Sequence, residues 1–123
     1  LKELRGLAYK AIRPMNEAQA LDDTQYYSQQ FPRDERIPSL LLDAYHPKLY
    51  GGTGEQASTQ VALAVKALVP RLMLAGGLTP ENVTERVSAI QPWGVDVASG
   101  VEASEGLKDA AKVRDFIAAV KGL

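Results

Sequence analysis

Arg71-Leu72-Met73-Leu74-Ala75-Gly76-Gly77-Leu78-Thr79-Pro80-Glu81-Asn82 holds a whole strand-to-helix junction in one short stretch. After Arg71 the run is short, continuous and apolar, the pattern of a strand buried on both faces of a parallel sheet. Gly76 and Gly77 break it. Thr79 then reads as an N-cap and Pro80 suits the first helical position. Glu81 places negative charge in the first turn, against the positive end of the helix dipole. The predicted helix runs to about Ile90, and Pro92 stops it.

The same unit recurs on both sides. Downstream, Gly94-Val95-Asp96-Val97-Ala98 reads as a strand and Ser99-Gly100-Val101-Glu102 as a loop. A helix follows from about Lys108 to Val120, with Val113, Phe116, Ile117 and Val120 as its apolar stripe. Upstream, Ser39-Leu40-Leu41-Leu42 is a strand entered from Pro38. The loop Tyr50-Gly51-Gly52-Thr53-Gly54 leads to a helix over about Thr59 to Leu68, whose Val61, Ala64, Val65 and Leu68 share a face. First in the chain come the strand Leu7-Ala8-Tyr9-Lys10-Ala11-Ile12 and a helix from Glu17 to Phe31, closed by Pro32. Tyr26 and Tyr27 are read as part of that helix's packed face.

The order is therefore βαβαβαβα, an α/β chain of four units, with no linker or shift of composition dividing residues 1–123. Two architectures fit: a compact open α/β sheet, or half of a (β/α)8 barrel, whose full length starts near roughly 200 residues. In both, the loops at the C-terminal strand ends carry the site. Those loops are where glycine and isolated polar residues gather here.

Composition narrows the function. A net charge of −1, with 46% hydrophobic and 24% charged residues, is ordinary for a globular domain and gives no basic surface for nucleic acid. No apolar run approaches a membrane span and no signal-peptide pattern is present, so the expected location is cytoplasmic. Without cysteine the chain forms no disulfide and offers no thiolate. The chain opens on Leu1 rather than methionine, which points to a segment of something longer.

Several residues are placed to carry chemistry. Asp43 directly follows an apolar strand, at the mouth of the sheet. Partial desolvation favours a protonated carboxyl, which suits a general acid; a capping or loop aspartate is the plainer alternative. The Gly51–Gly54 loop lets backbone approach a ligand, or is a flexible turn, and lacks the Lys-Ser/Thr pair of a nucleotide-binding P-loop. Gly76-Gly77 and Ser99-Gly100 follow consecutive strands, where free backbone N–H groups bind phosphate; the pairing favours that reading over simple turns. Asp96, flanked by valines, either points into a ligand pocket or is tied to a basic residue. Arg13 either steers an anionic substrate or is a surface charge. His46 reads as incidental, Trp93 as packing, and the charges from Lys108 to Asp115 as a solvated helix face.

Three stretches taken together resemble phosphoribosylanthranilate isomerases. They are Leu41-Leu42-Asp43-Ala44 with Tyr50-Gly51-Gly52-Thr53-Gly54; Leu74-Ala75-Gly76-Gly77-Leu78-Thr79-Pro80-Glu81-Asn82-Val83; and Pro92-Trp93-Gly94-Val95-Asp96-Val97-Ala98-Ser99-Gly100-Val101-Glu102 with Gly106-Leu107-Lys108-Asp109. Tyr9-Lys10-Ala11-Ile12-Arg13 is similar to the family's fifth strand. The resemblance covers nearly the whole chain and implies a (β/α)8, TIM-barrel-type fold of which these four units are strands 5 to 8, a C-terminal half barrel. A related isomerase of histidine biosynthesis fits less well, because it lacks these linked Gly-Gly-Thr-Gly and Asp-Val-Ala-Ser-Gly-Val-Glu motifs.

The resemblance also implies an activity in tryptophan biosynthesis. N-(5′-phosphoribosyl)anthranilate undergoes an Amadori rearrangement to 1-(o-carboxyphenylamino)-1-deoxyribulose 5-phosphate, with no metal or organic cofactor. Asp43 falls on the general acid, and Gly76, Gly77, Ser99 and Gly100 on the phosphate loops. Asp96 falls on a pocket aspartate, and Gly52, Thr53 and Gly54 on a loop over the substrate. Two departures stand out. The family's general base is a cysteine on the first barrel strand, and an arginine near the anthranilate end also belongs to the first half. Glu55-Gln56-Ala57-Ser58 replaces the usual aromatic-acidic stretch. The expected partners are a phosphorylated small molecule and either a second copy or a complementing N-terminal half barrel. Alone, the chain is expected to be inactive.

Overall fold

The computed structural model describes residues 8–44 and 54–123. Four strands, β1 (Lys10–Ile12), β2 (Leu40–Asp43), β3 (Leu72–Ala75) and β4 (Gly94–Val95), pair side by side in chain order, every neighbour parallel. Helices α1 (Glu17–Tyr27), α2 (Gly54–Lys66) and α3 (Val83–Ile90) connect them, and α4 (Ala110–Lys121) follows the last. Parallel neighbours need such crossovers, so the βα repeat and the strand order are one fact seen twice.

Register decides which side chains meet. Ile12 pairs with Leu42, which pairs with Leu74, and Leu74 with Val95. Ile12, Leu42 and Leu74 are buried under the helices, with Leu40 and Leu72 beside them. Val61, Val65, Val83, Ile90 and Phe116 close the core from the helical side. Each fully buried leucine contributes about 1.5–3 kcal/mol over an exposed one. The alternate residues Ala11, Leu41, Met73 and Gly94 form the opposite face, which is only partly covered.

Two arginines fasten the layers. Arg86 on α3 is buried, and its guanidinium donates to Ser58 Oγ at 2.8 Å and to Thr59 Oγ1, both on α2. Arg71, just before β3, donates from Nε to the Ile37 carbonyl at 2.8 Å and from the guanidinium to the Pro32 carbonyl. Arg71 thereby holds the approach to β2 at the N-terminal end of the sheet, away from the loops of the site.

Elements shift from their expected bounds for local reasons. Strand β1 begins at Lys10, and Leu7 lies outside the described residues. Helix α1 ends at Tyr27 and tightens into a 3-10 turn, Ser28–Gln30, before Phe31; Tyr26 is 73% exposed rather than packed. Helix α2 starts at Gly54, so Gly54 is helical rather than part of a loop, and it ends at Lys66, leaving Leu68 exposed. Ile117, counted in the stripe of α4, is also exposed, as is Trp93 at 45%.

The helix expected to start at Thr79-Pro80 begins instead at Val83 with Asn82 at its N-cap, and residues 80–82 form a turn that leads into it. Thr79 Oγ1 accepts from the Asn82 N–H at 3.2 Å, and Asn82 Oδ1 accepts from the Thr79 N–H at 2.7 Å, the reciprocal pair of a capping box.

The largest departure follows β4. Its ladder stops at Val95, a 3-10 turn spans Ser99–Val101, and a small antiparallel hairpin forms from β5 (Glu102–Ser104) and β6 (Leu107–Lys108). Gly106, at φ 80°, makes its turn. Lys108 is therefore in the hairpin, and Asp109 caps α4 by accepting from the Lys112 N–H at 3.0 Å.

Candidate active site

One residue past the paired positions, the register brings four side chains into a row. Asp43 is opposite Ala75; continuing each ladder by one step sets Arg13 beside Asp43 and Asp96 beside Ala75. The Asp96 N–H extends the last ladder, donating to the Leu74 carbonyl at 2.8 Å. Residues in register on parallel strands share a face. All four line a cavity of about 250 Å³ at the C-terminal strand ends, with Gly76, Gly77, Leu78, Val97, Ala98, Ser99 and Gly100 forming the rest of its wall.

The row carries one cation and two carboxylates, with Ala75 between Asp43 and Asp96. Arg13 Nε lies 3.9 Å from Asp43 Oδ2, the side chains 59% and 36% exposed. Arg13 thus lines the cavity while remaining largely exposed. Asp96 is exposed and stands beyond the end of β4, so the cost of burying a carboxylate inside a strand does not arise. It faces the cavity, and the ion pairs among the described residues do not include it.

Two loops build the other wall. Gly76 and Gly77 adopt φ 99° and 68°, conformations that side chains resist, and turn the chain sharply off β3. The Asn82 side chain donates to the Gly77 carbonyl at 2.8 Å, fixing that turn to the start of α3. Gly100 lies against the Leu78 carbonyl so closely that a Cβ there would stand 1.8 Å from the oxygen. The two glycine loops are thereby packed into one surface.

Behind the second loop, Lys108 Nζ donates to Glu102 Oε2 at 3.0 Å. That hydrogen bond holds the Glu102 carboxyl below its usual pKa. This lysine, read as part of a solvated helix face, also donates to the carbonyl of the cavity residue Ala98; the glycine two residues before it was the available signal of a hairpin.

Gly52 and Thr53, expected over the substrate, and His46 lie outside the described residues. Among the described residues no group of three or more His, Cys, Asp or Glu is placed to hold a metal, and no helix is long and apolar enough to cross a membrane.

A chain-ordered parallel sheet joined by helices, with its cavity at the C-terminal strand ends, defines an α/β protein of the βα-repeat class to which (β/α)8 barrels belong. Residues 2–119 match the family model described as N-(5'phosphoribosyl)anthranilate (PRA) isomerase, and the chain belongs to that family.

The N-(5'-phosphoribosyl)anthranilate isomerase of Geobacter sulfurreducens is 48% identical over 113 residues, covering 92% of this chain and 51% of its own. Among solved structures, the phosphoribosylanthranilate isomerase of Thermotoga maritima superposes with a TM-score of 0.70 at 36% identity, over 94% of this chain and 51% of that one. A phosphoribosylanthranilate isomerase solved in complex with reduced 1-(o-carboxyphenylamino)-1-deoxyribulose 5-phosphate gives 0.67 at 31% identity, over 94% and 48%. The chain thus spans about half the length of the relatives it matches.

Proposed function

We propose that this chain supplies the general acid and the phosphate cradle of a phosphoribosylanthranilate isomerase of tryptophan biosynthesis, as strands 5 to 8 of a (β/α)8 barrel. The observation that carries the reading is the convergence of Asp43, Gly76, Gly77, Ser99 and Gly100 on one cavity. The relative solved with a phosphorylated product analogue supports it. So does the apolar face of Leu41 and Met73, which a closed barrel would enclose.

The chemistry follows from the row. The substrate phosphate rests against backbone N–H groups of the Gly76-Gly77 and Ser99-Gly100 loops, where no cation has to be deprotonated or exchanged. Asp43, one strand away, donates a proton to the furanose ring oxygen, and the C1–O bond breaks to give a Schiff base. A base then removes the C2 proton, and the enolamine tautomerises to the ketone. Asp96 borders the phosphate loops; a carboxylate there repels phosphate and accepts hydrogen bonds from sugar hydroxyls instead.

The family's base is a cysteine of the first strand, and this chain contains no cysteine. Turnover therefore requires a complementing N-terminal half barrel. A second reading, a non-catalytic half barrel that binds phosphate ligands or self-associates, is favoured by β1 and β4. Among the described residues each is paired on one side only, and such edges recruit further strands.

The test mixes the chain with the N-terminal half of a close relative and follows conversion of N-(5′-phosphoribosyl)anthranilate by chromatography, with sedimentation to report association. Turnover only in the mixture, lost in Asp43→Asn with ribose 5-phosphate binding retained, supports the enzyme reading. Turnover indifferent to Asp43→Asn removes Asp43 from its role. A chain that pairs with itself and never turns over leaves the non-catalytic reading.

A further inference from the structure

A loop that binds an anion through its N–H groups must keep its carbonyl oxygens turned away, because each is a partial negative charge within reach of the ligand. The loop after β4 does this with borrowed donors. The Ala98 carbonyl accepts from Lys108 Nζ at 3.0 Å and from the Val101 N–H at 3.3 Å. The Val101 carbonyl accepts from the Asp109 N–H at 2.8 Å, and the Glu102 carbonyl from Lys112 Nζ at 2.9 Å. Every one of these donors comes from the loop itself or from the chain that follows it.

We propose that Lys108 is a positioning residue for this anion loop: its ammonium, held by Glu102, locks the Ala98 carbonyl out of the cavity so that the Ser99 and Gly100 N–H groups face the ligand. The inference rests on the phosphate site proposed above and adds a residue that neither lines the cavity nor touches the ligand. The hairpin gives the arrangement its geometry. Glu102 opens β5 and Lys108 closes β6, paired across the ladder, so the turn at Gly106 sets the ammonium under Ala98. Glu102 is the more buried partner, 18% exposed against 51%, and serves as the fixed post on which the lysine is held.

The experiment measures the affinity of the full chain for ribose 5-phosphate by calorimetry, with ribose as the unphosphorylated control, alongside thermal melting. Lys108→Met is expected to weaken ribose 5-phosphate about tenfold, the size of one charge-assisted hydrogen bond, with Lys108→Arg recovering most of the loss. Glu102→Gln keeps the lysine on Ala98 and is expected to lose less than Lys108→Met does.

Unchanged affinity in Lys108→Met overturns the proposal alone. So does a loss of affinity that tracks the melting temperature equally in Lys108→Met and Glu102→Gln, since that marks a purely structural pair. Absence of phosphate-dependent binding in the unaltered chain overturns the site and the proposal together.

If Lys108→Met does not fold, the unaltered chain still tests the idea by NMR. Ribose 5-phosphate is expected to shift the Ser99 and Gly100 amides and to leave the Ala98 carbonyl carbon in place; a moving Ala98 carbonyl contradicts the lock.

Discussion

Arg13 Nε stands 3.9 Å from Asp43 Oδ2 because β1 and β2 run in register, Ile12 against Leu42, and both chains leave the sheet at the same level. The pair is half open to solvent, so it contributes under about 1 kcal/mol to stability. Its effect is on geometry: a guanidinium beside Asp43 restricts where that carboxyl points. In the complemented enzyme Arg13→Ala is expected to cut kcat roughly tenfold to a hundredfold, less than the ~10²–10⁴ of losing an acid outright, while thermal melting barely moves. A weaker affinity for ribose 5-phosphate with kcat intact would instead make Arg13 a ligand contact.

Gly100→Ala forces a Cβ to within 1.8 Å of the Leu78 carbonyl, backbone against backbone, where no side chain can swing aside. The loops must separate. We expect a loss of about 1–3 kcal/mol, the usual cost of overpacking, read in chemical denaturation, together with loss of phosphate binding. The same substitution at Gly106 meets open space, so its cost is the strain of φ 80° alone, and binding is expected to weaken less.

Arg86→Met replaces a buried guanidinium that donates to Ser58 and Thr59 across the α2–α3 contact. Removing it takes away both of these hydrogen bonds in a closed layer. The expected destabilisation is about 1–3 kcal/mol with the cavity untouched, so melting falls while ribose 5-phosphate affinity of the folded chain stays put.

Acid stability has an identifiable source. Hydrogen bonds from the Arg36 side chain and backbone lower the Asp34 carboxyl from 3.8 to about 2. A depressed carboxyl stabilises the fold above its unfolded value and loses that contribution as protons bind. The contribution is therefore complete above about pH 4 and fades as pH falls toward 2. Glu102, lowered by Lys108, acts in the same direction. Melting temperature followed from pH 5 down to 2 is expected to fall less steeply in Asp34→Asn; an identical slope would place the acid sensitivity elsewhere.

What was readable in the sequence follows burial. The runs at Leu40–Leu42 and Leu72–Ala75 announced their strands because both faces needed apolar side chains, while Thr79-Pro80 marked a hydrogen-bonded turn three residues ahead of the helix itself. The positions of Asp43, Gly76, Gly77, Ser99 and Gly100 followed from those boundaries.

The hairpin was not readable. Its residues are mostly exposed, so no periodic pattern marks them, and Lys108 merged with the helix after it. Asp96 misled in the opposite sense. Its flanking valines resemble a buried strand, yet the ladder to β3 pairs only two residues, and the chain turns away as Asp96 emerges. The ladder stops although β3 continues to Ala75, so the end of β4 is set by the chain's own turn into Ser99–Val101 rather than by a pattern in the strand.

Because the strands lie in the order in which they are synthesised, the binding surface is assembled by instalments. Arg13 is set by the first unit, Asp43 by the second, the paired glycines by the third, and Ser99 with its lysine brace by the fourth. With only the first three of these units the cavity has one wall missing, because the Gly100 loop that packs against the Leu78 carbonyl comes with the fourth.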